Sequence, residues 1–367
     1  MPSIQPRKIG IALDMHGCPN RCRHCYLGRA CDIKMSDDDL QYAAARFRSY
    51  ARPGEERPFI EELTVSSWFR EPDFSPNYRR LYQLESELSD GEPARFELLS
   101  TWRLARDERY AEWAKQVGPD TCQITFFGVG ETQDWFYRRR GAFQDCLRAT
   151  ERLLVAGMKP RWQLFLTRKI LPELGSLLRI VERLRIREKV DALGGEFQIF
   201  VHTPGPDGEA RKIEYLRPRI EETKGIPLEL IEASQEHLKR EKLWYTEREL
   251  VSEILKAEDR FPSAYPYDKL WFLIESNWDV FSNLGPLEPW WRLGNLKRDR
   301  VGTIVESFEN DQPLGLRTIQ TVPAKTLARR FGDPEGLLIY SSADDLLSLF
   351  VAEHCEANYK GDKTGAL

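Results

Sequence analysis

The sequence predicts an α/β protein: a partial (β/α)6 TIM-like barrel over residues 1–225, followed by a smaller C-terminal α+β domain over 226–367. Three observations carry this reading. Apolar-rich runs alternate with amphipathic helical segments through the first two-thirds of the 367 residues. Six such β–α repeats describe a parallel sheet buried on both faces. Beyond Pro266 the rhythm changes to short strands and turns, LWFLIES, DVFSN and GPLEPWWRLGN.

The expected strands are 8–14, 62–67, 95–100, 121–127, 161–167 and 196–201. Helices fit between them. The first has Ser36 as N-cap and Asp39 three residues on, close to a capping box. Another places Phe143, Cys146, Leu147, Thr150, Leu153 and Leu154 on one face and stops at Gly157. A third carries Pro172 in its first turn and repeats Leu174, Leu177, Leu178, Val181 and Leu184. The pattern breaks at 202–206, and the chain is charged and irregular to about 226. A long helical region follows, with Thr246 and Glu249 as a capping box for 250–255.

Composition excludes several classes. A formal net charge of −4 argues against a protein built to bind nucleic acid. No run reaches the ~18–20 apolar residues of a membrane span, and the first residues lack a secretory pattern. Seven cysteines, with Cys18, Cys22 and Cys25 crowded together, are not a disulfide framework. The cytoplasm is the simplest placement.

The segment HGCPNRCRHCYLG spaces its thiols C-x3-C-x2-C directly after the first expected strand, where barrels of this kind place their active sites. Thiolates suit zinc or an iron–sulfur cluster. A structural zinc site closes with four ligands, and the fourth here would be His16, His24 or Cys31. A [4Fe–4S] cluster on three cysteines leaves one iron open for chemistry, which the loop's position favours.

With His24 as the aromatic residue before the third cysteine, the motif resembles that of the radical S-adenosylmethionine superfamily. The resemblance implies one [4Fe–4S] cluster on Cys18, Cys22 and Cys25, with S-adenosyl-L-methionine on the open iron. Reductive cleavage would then give a 5′-deoxyadenosyl radical that takes hydrogen from a substrate. The family's Gly-Gly-Glu-Pro corresponds to Phe69-Arg70-Glu71-Pro72. Glu71 and Pro72 match, while Phe69 and Arg70 imply an altered loop, Arg70 being read either as a partner for a substrate acid or as a surface residue. Thr101 follows the third strand where the family has Thr-Asn-Gly. Thr125 takes the place of a serine that meets the cofactor carboxylate, and Arg138 or Arg139 is the arginine that grips it. Gln163 stands at a family asparagine, as a cofactor contact or a satisfied amide. His202 at the end of the last strand is a candidate acid–base group, with a structural role as its alternative.

The pattern FLIESNWDVFSN…WWRLGNLKRDRVGTIVESF resembles the SPASM/twitch extension of the same superfamily. That module normally binds auxiliary clusters. Here the first ligand position is Asn283, and Cys355 is the one cysteine further on, too few for a second cluster. Without that electron sink the resemblance leans toward redox-neutral chemistry: epimerisation, rearrangement, fragmentation or coupling. Cys355 is then the candidate hydrogen donor, and Cys31 and Cys146 are structural thiols. The implied partners are a small-molecule or short-peptide substrate and an external one-electron donor such as flavodoxin or ferredoxin. A non-catalytic iron–sulfur or zinc protein of the same fold is the alternative, and the altered loop is the feature in its favour.

Overall fold

The computed structural model describes residues 8–28, 33–67, 70–91, 97–262, 270–282 and 287–359. Five strands lie in the first two-thirds: β1 (Lys8–Leu13), β2 (Glu62–Ser66), β3 (Thr121–Phe126), β4 (Lys159–Phe165) and β5 (Ile199–His202). The rest of the chain adds β6 (Tyr245–Thr246), β7 (Leu270–Ile274), β8 (Asp279–Ser282), β9 (Arg292–Asn295) and β10 (Ile339–Tyr340).

Among the described residues the strands form two larger sheets rather than one six-stranded run. One has the order β2-β1-β7-β8-β9 and the other β3-β4-β5, with a small β10-β6 pair apart from both. The N-terminal strands and β3-β4-β5 pair in parallel, as alternation with helices requires. Of the expected third strand, 95 and 96 lie outside the described residues. The rest is not a strand, although the Gln123 amide donates to Glu97 O at 2.7 Å and seats that segment beside β3.

β7 corrects the sequence reading most. It runs parallel to β1 on the side away from β2, with Gly10 opposite Trp271 and Ile11 opposite Phe272. The hairpin β7-β8 and the strand β9 therefore continue the N-terminal sheet. Its apolar core follows: Ile9, Ile11, Leu63 and Val65 share one cluster with Phe272, Leu327, Phe350 and Cys355. A second cluster surrounds β3-β4-β5, built from Ile124, Phe126, Trp162, Leu164 and helix residues such as Phe143 and Leu177.

Local signals were legible. Ser36 and Asp39 form a capping box on the helix Asp37–Arg48, and Thr246 and Glu249 form another on Glu247–Lys256. The helix Ala142–Val155 ends just before Gly157 at φ +71°, and Pro172 lies in a 3-10 turn leading into Leu174–Arg183. The irregular stretch contains 3-10 turns Gly208–Leu216 and Ile220–Gly225, followed by the helix Leu228–Leu238.

The C-terminal third is more helical than expected. Helices Val301–Glu309, Leu314–Thr321, Ala324–Phe331 and Ala343–Asn358 follow β9. Their signals are present in the sequence. Pro313 and Pro323 directly precede two of the starts, and Ser342 accepts from the Asp345 amide at 3.2 Å as an N-cap. No helix among the described residues is long and apolar enough to cross a membrane.

Glycine at position 10 is what lets β7 dock. A Cβ there would lie 2.5 Å from the Trp271 ring. Gly10→Ala is expected to lower the unfolding free energy by about 1–3 kcal/mol, an overpacking cost. Trp271→Ala in the same chain should restore part of it; denaturant unfolding of both variants checks this.

Candidate active site at the cysteine loop

The loop after β1 is held at both ends and along its middle. Asp14 continues the β1–β7 pairing, its amide donating to Ile274 O at 3.0 Å, while its carboxylate accepts from the Gly17 amide at 3.1 Å. Gly17 sits at φ +69°, where a side chain would be strained. In the middle, the Arg21 and Arg23 amides donate to Tyr137 O and Phe136 O at 3.2 and 2.8 Å. These are terminal carbonyls of the helix Glu131–Tyr137, groups with no partner inside their own helix. At the far end the Glu209 amide donates to Cys25 O at 3.0 Å.

Cys18, Cys22 and Cys25 are half-buried free thiols on this loop. Burial pushes all three above the usual thiol range; Glu71 adds to this at Cys18, and the two companion thiols add to it at Cys22. The sulfurs therefore lie in one another's field. No three His, Cys, Asp or Glu side chains among the described residues converge as ligands of a single ion. A [4Fe–4S] cluster makes a different demand, since its cysteines bind separate irons. Cys31 lies outside the described residues.

Arg70 closes the loop from behind. Its side chain is 2% exposed. Nε donates to Asp14 at 2.7 Å, Nη1 to Leu27 O and Gly28 O at 2.9 and 2.6 Å, and Nη2 to Glu275 at 3.0 Å. It is neither a surface residue nor poised for a substrate acid, because its donors are already engaged with the ends of β1, β7 and the cysteine loop. Phe69 lies outside the described residues.

Glu71 is enclosed and occupied. It accepts from Ser100 Oγ at 2.7 Å, from the Trp102 amide at 3.3 Å and from Asn20 Nδ2 at 3.5 Å. Burial pushes its carboxyl up, and the Ser100 bond opposes that. It thus ties the cysteine loop to the short helix Thr101–Leu104, whose N-cap is Ser100 and whose first residue is Thr101.

Arg139 and Arg138 divide. Arg139 donates from Nε to Asn20 Oδ1 at 2.6 Å and pairs through Nη1 with Asp145, which Arg106 also meets at 2.9 Å. Arg138, left-handed at φ 49°, is more exposed and reaches Glu209 at 3.4 Å.

Strand alternation puts Gln123 and Thr125 on one face of β3, away from buried Cys122 and Ile124. The register sets Thr125 opposite Gln163 and Gln123 opposite Arg161. Gln163 Oε1 accepts from Thr125 Oγ1 at 3.2 Å and from Gln123 Nε2 at 2.9 Å, and Arg161 Nη2 donates to Gln123 Oε1 at 3.1 Å. Gln163 is thus an amide with its acceptor filled, in a polar ladder running along the sheet.

His24 is half-buried, with its ring 4.0 Å from Phe127 and 5.4 Å from Phe165. Burial drives its pKa down to about 3, so it is neutral, and its Nδ1 has no partner. His202 also neighbours Phe165, rings 5.7 Å apart, with an unpartnered Nδ1 and a pKa lowered by burial. Both imidazoles thus neighbour one aromatic ring, at the end of β4.

Cys355 stands apart from this group. It is fully covered, packs between the helices Leu314–Thr321 and Ala343–Asn358, and its sulfur is 3.6 Å from Thr318 Oγ1. That is the place of a packing thiol. Asn283 lies outside the described residues. Sequence reasoning missed Asn20, the Asp14–Arg70–Glu275 group and Glu209. Asn20 lies inside the cysteine motif, but the others are joined only by the fold.

No protein-family profile and no curated protein matches the sequence. Solved structures do. The chain superposes on native anSMEcpe with bound AdoMet at TM-score 0.52 and 12% identity, over 95% of this chain and 97% of the other. It superposes on native anSMEcpe with bound AdoMet and Cp18Cys peptide at TM-score 0.51 and 13% identity, with the same coverage. The chain shares the fold of these two structures.

Arg70→Ala leaves Asp14 buried without its cation, and removing one member of a buried pair costs about 3–5 kcal/mol. The unfolding midpoint in denaturant is expected to fall accordingly. Arg70→Lys keeps the charge without the fork and should lie between the two.

Proposed function

We propose that this chain is a radical S-adenosylmethionine enzyme acting on a small molecule or short peptide. Cys18, Cys22 and Cys25 would hold its one [4Fe–4S] cluster. The observation that carries this reading is the cysteine loop itself: three half-buried thiols in one field, at the end of a parallel strand, on a backbone fixed at both ends. The donor set fits the cluster in its chemistry, three cysteine sulfurs and no harder ligand. When bound, the cluster and S-adenosylmethionine supply a reductively generated 5′-deoxyadenosyl radical that takes hydrogen from substrate. An external one-electron donor would provide the reductant, and redox-neutral tailoring is the reaction class we favour.

The chain's own residues divide the remaining work. His24, Phe127 and Phe165 form a neutral, water-excluding wall beside the loop. Thr125 and Gln163 present hydroxyl and amide groups along the sheet, and their mutual bond must be exchanged for ligand bonds. Arg139 has Nε and Nη1 committed to Asn20 and Asp145, so it positions the loop. Arg138, with one long contact to Glu209, is the guanidinium free to grip a carboxylate in two places. Glu71 fixes the loop through Asn20 and Ser100. His202 Nδ1, neutral and unpartnered, is available to accept a substrate hydrogen bond.

Anaerobic reconstitution should load about four irons per chain on this reading, and reduction with dithionite should release 5′-deoxyadenosine from S-adenosylmethionine. Alanine at Cys18, Cys22 or Cys25 should abolish both. Iron without cleavage under any substrate would favour the non-catalytic alternative, to which the captured Arg70 lends its one observation.

The two arginines give a sharper test. Arg138→Ala should keep the iron and weaken S-adenosylmethionine binding at least ten-fold by calorimetry. Arg139→Ala should instead lower iron content, because Asn20 loses the donor to its Oδ1. The reverse pattern would exchange their roles.

A further inference from the structure

A cavity of about 670 Å³ opens against the outgoing limb of the cysteine loop, starting at Tyr26, the neighbour of Cys25. Its other walls are the 3-10 turn Gly208–Leu216, the segment after Leu287, and the C-terminal helices around Phe331 and Glu353. The volume falls in the range of ligand sites. Gly208 shapes the junction: at φ +54° with a would-be Cβ 2.3 Å from Tyr26 O, it lets the turn press onto the loop.

The lining has an uneven charge. Carboxylates at Glu209, Glu214, Glu247, Glu288, Glu353 and Glu356 face cations at Arg211 and Lys212. Several are matched. Arg211 pairs with Glu356 and, at 3.6 Å, with Glu288; Lys212 pairs with Glu209; Arg217 pairs with Glu214 at 2.6 Å. Glu247 and Glu353 have no cation partner among the described residues, and Glu288 Oε2 is enclosed with no hydrogen bond. Burial and neighbouring acids push the Glu288 carboxyl up to about 7, and raise Glu247 and Glu353.

A second observation is of a different kind. Trp290 lines the same cavity, is 8% exposed, and its indole N–H has no partner. A buried donor of this sort takes a carbonyl or similar oxygen. Phe331, Tyr340 and Phe350 supply apolar wall.

We infer that this cavity binds a cationic side chain of a short peptide substrate, an ammonium or guanidinium on an apolar stem. Glu353, Glu247 and Glu288 would receive the charge, and Trp290 a neighbouring peptide carbonyl. The inference rests on the proposed radical chemistry only for calling the ligand a substrate. Organic cations suit the site because aromatic rings and carboxylates favour a positive head together, while the stem covers apolar wall.

The test is anaerobic calorimetry on the reconstituted full chain with three probes: a lysine-containing pentapeptide, the same peptide with norleucine, and spermidine. The lysine peptide is expected to bind at least ten-fold more tightly than the norleucine peptide and more tightly than spermidine. In Glu288→Gln/Glu353→Gln that preference should fall at least five-fold, whereas Glu258→Gln, on the exposed surface, should retain it. Equal affinities for the two peptides, no binding of either, or an unchanged preference in the double variant overturns the inference. Tighter binding of spermidine would reassign the cavity to a free polyamine and overturn the peptide reading. Dithionite-driven release of 5′-deoxyadenosine without peptide is read separately. Its loss beside a retained lysine preference would sink the radical chemistry alone.

Discussion

The Arg70 guanidinium is the constraint on which the rest of the site depends. It lies where the ends of β1, β7 and the cysteine loop meet, and each would otherwise leave an unmet group there. Asp14 and Glu275 would be two enclosed carboxylates in each other's field, and the Leu27 and Gly28 carbonyls would lack donors. A planar fork can serve all of them at once; a lysine cannot. The arginine at position 70 thus has a physical reason. Where two glycines would give backbone freedom, this chain places a buried cation that locks the C-terminal hairpin to the loop holding the thiols.

The second clamp acts from the opposite side. Carbonyls at the end of the helix Glu131–Tyr137 receive the Arg21 and Arg23 amides, so the middle of the loop is written into a helix terminus. Arg139, two residues past that helix, adds a bond to Asn20, and Asn20 reaches Glu71. Asp145 anchors Arg139 from the next helix. The cysteines are consequently positioned before any ligand arrives, which spares a bound group the entropy of ordering the loop.

What the sequence disclosed follows the range of the interactions. The capping boxes at Ser36–Asp39 and Thr246–Glu249 span three residues and were legible at once, as was the alternation that sets Thr125 apart from Cys122. The fold matches that of anSMEcpe with bound AdoMet, in line with the resemblance carried by the motif around Cys18. The pairing of β7 with β1 was not legible, because LWFLIES reads equally well as a hairpin strand of a separate unit. Its true partner is some 260 residues away by the register Gly10–Trp271. Arg70 was misread for the same reason: its partners come from three segments, and charge alone suggests exposure. The C-terminal helices had their prolines and caps in view but were overshadowed by the strand-like Trp-rich stretch before them.

The same long-range pairing explains why the acidic cavity sits where it does. Because β7, β8 and β9 extend the N-terminal sheet, the chain that follows them returns to the side of the cysteine loop rather than away from it. Glu288, Trp290 and residues of the helix Ala343–Asn358 thereby line one cavity with Tyr26 and Leu27. A separate appended domain on a linker would leave that arrangement free to vary. Here the Arg70–Glu275 bond ties the end of β7 to the loop that carries both the thiols and Leu27 of the cavity wall. Weakening that bond should therefore disturb both ends together, iron retention and the preference for a cationic ligand, because Arg70 also holds the carbonyls of Leu27 and Gly28 in the cavity wall.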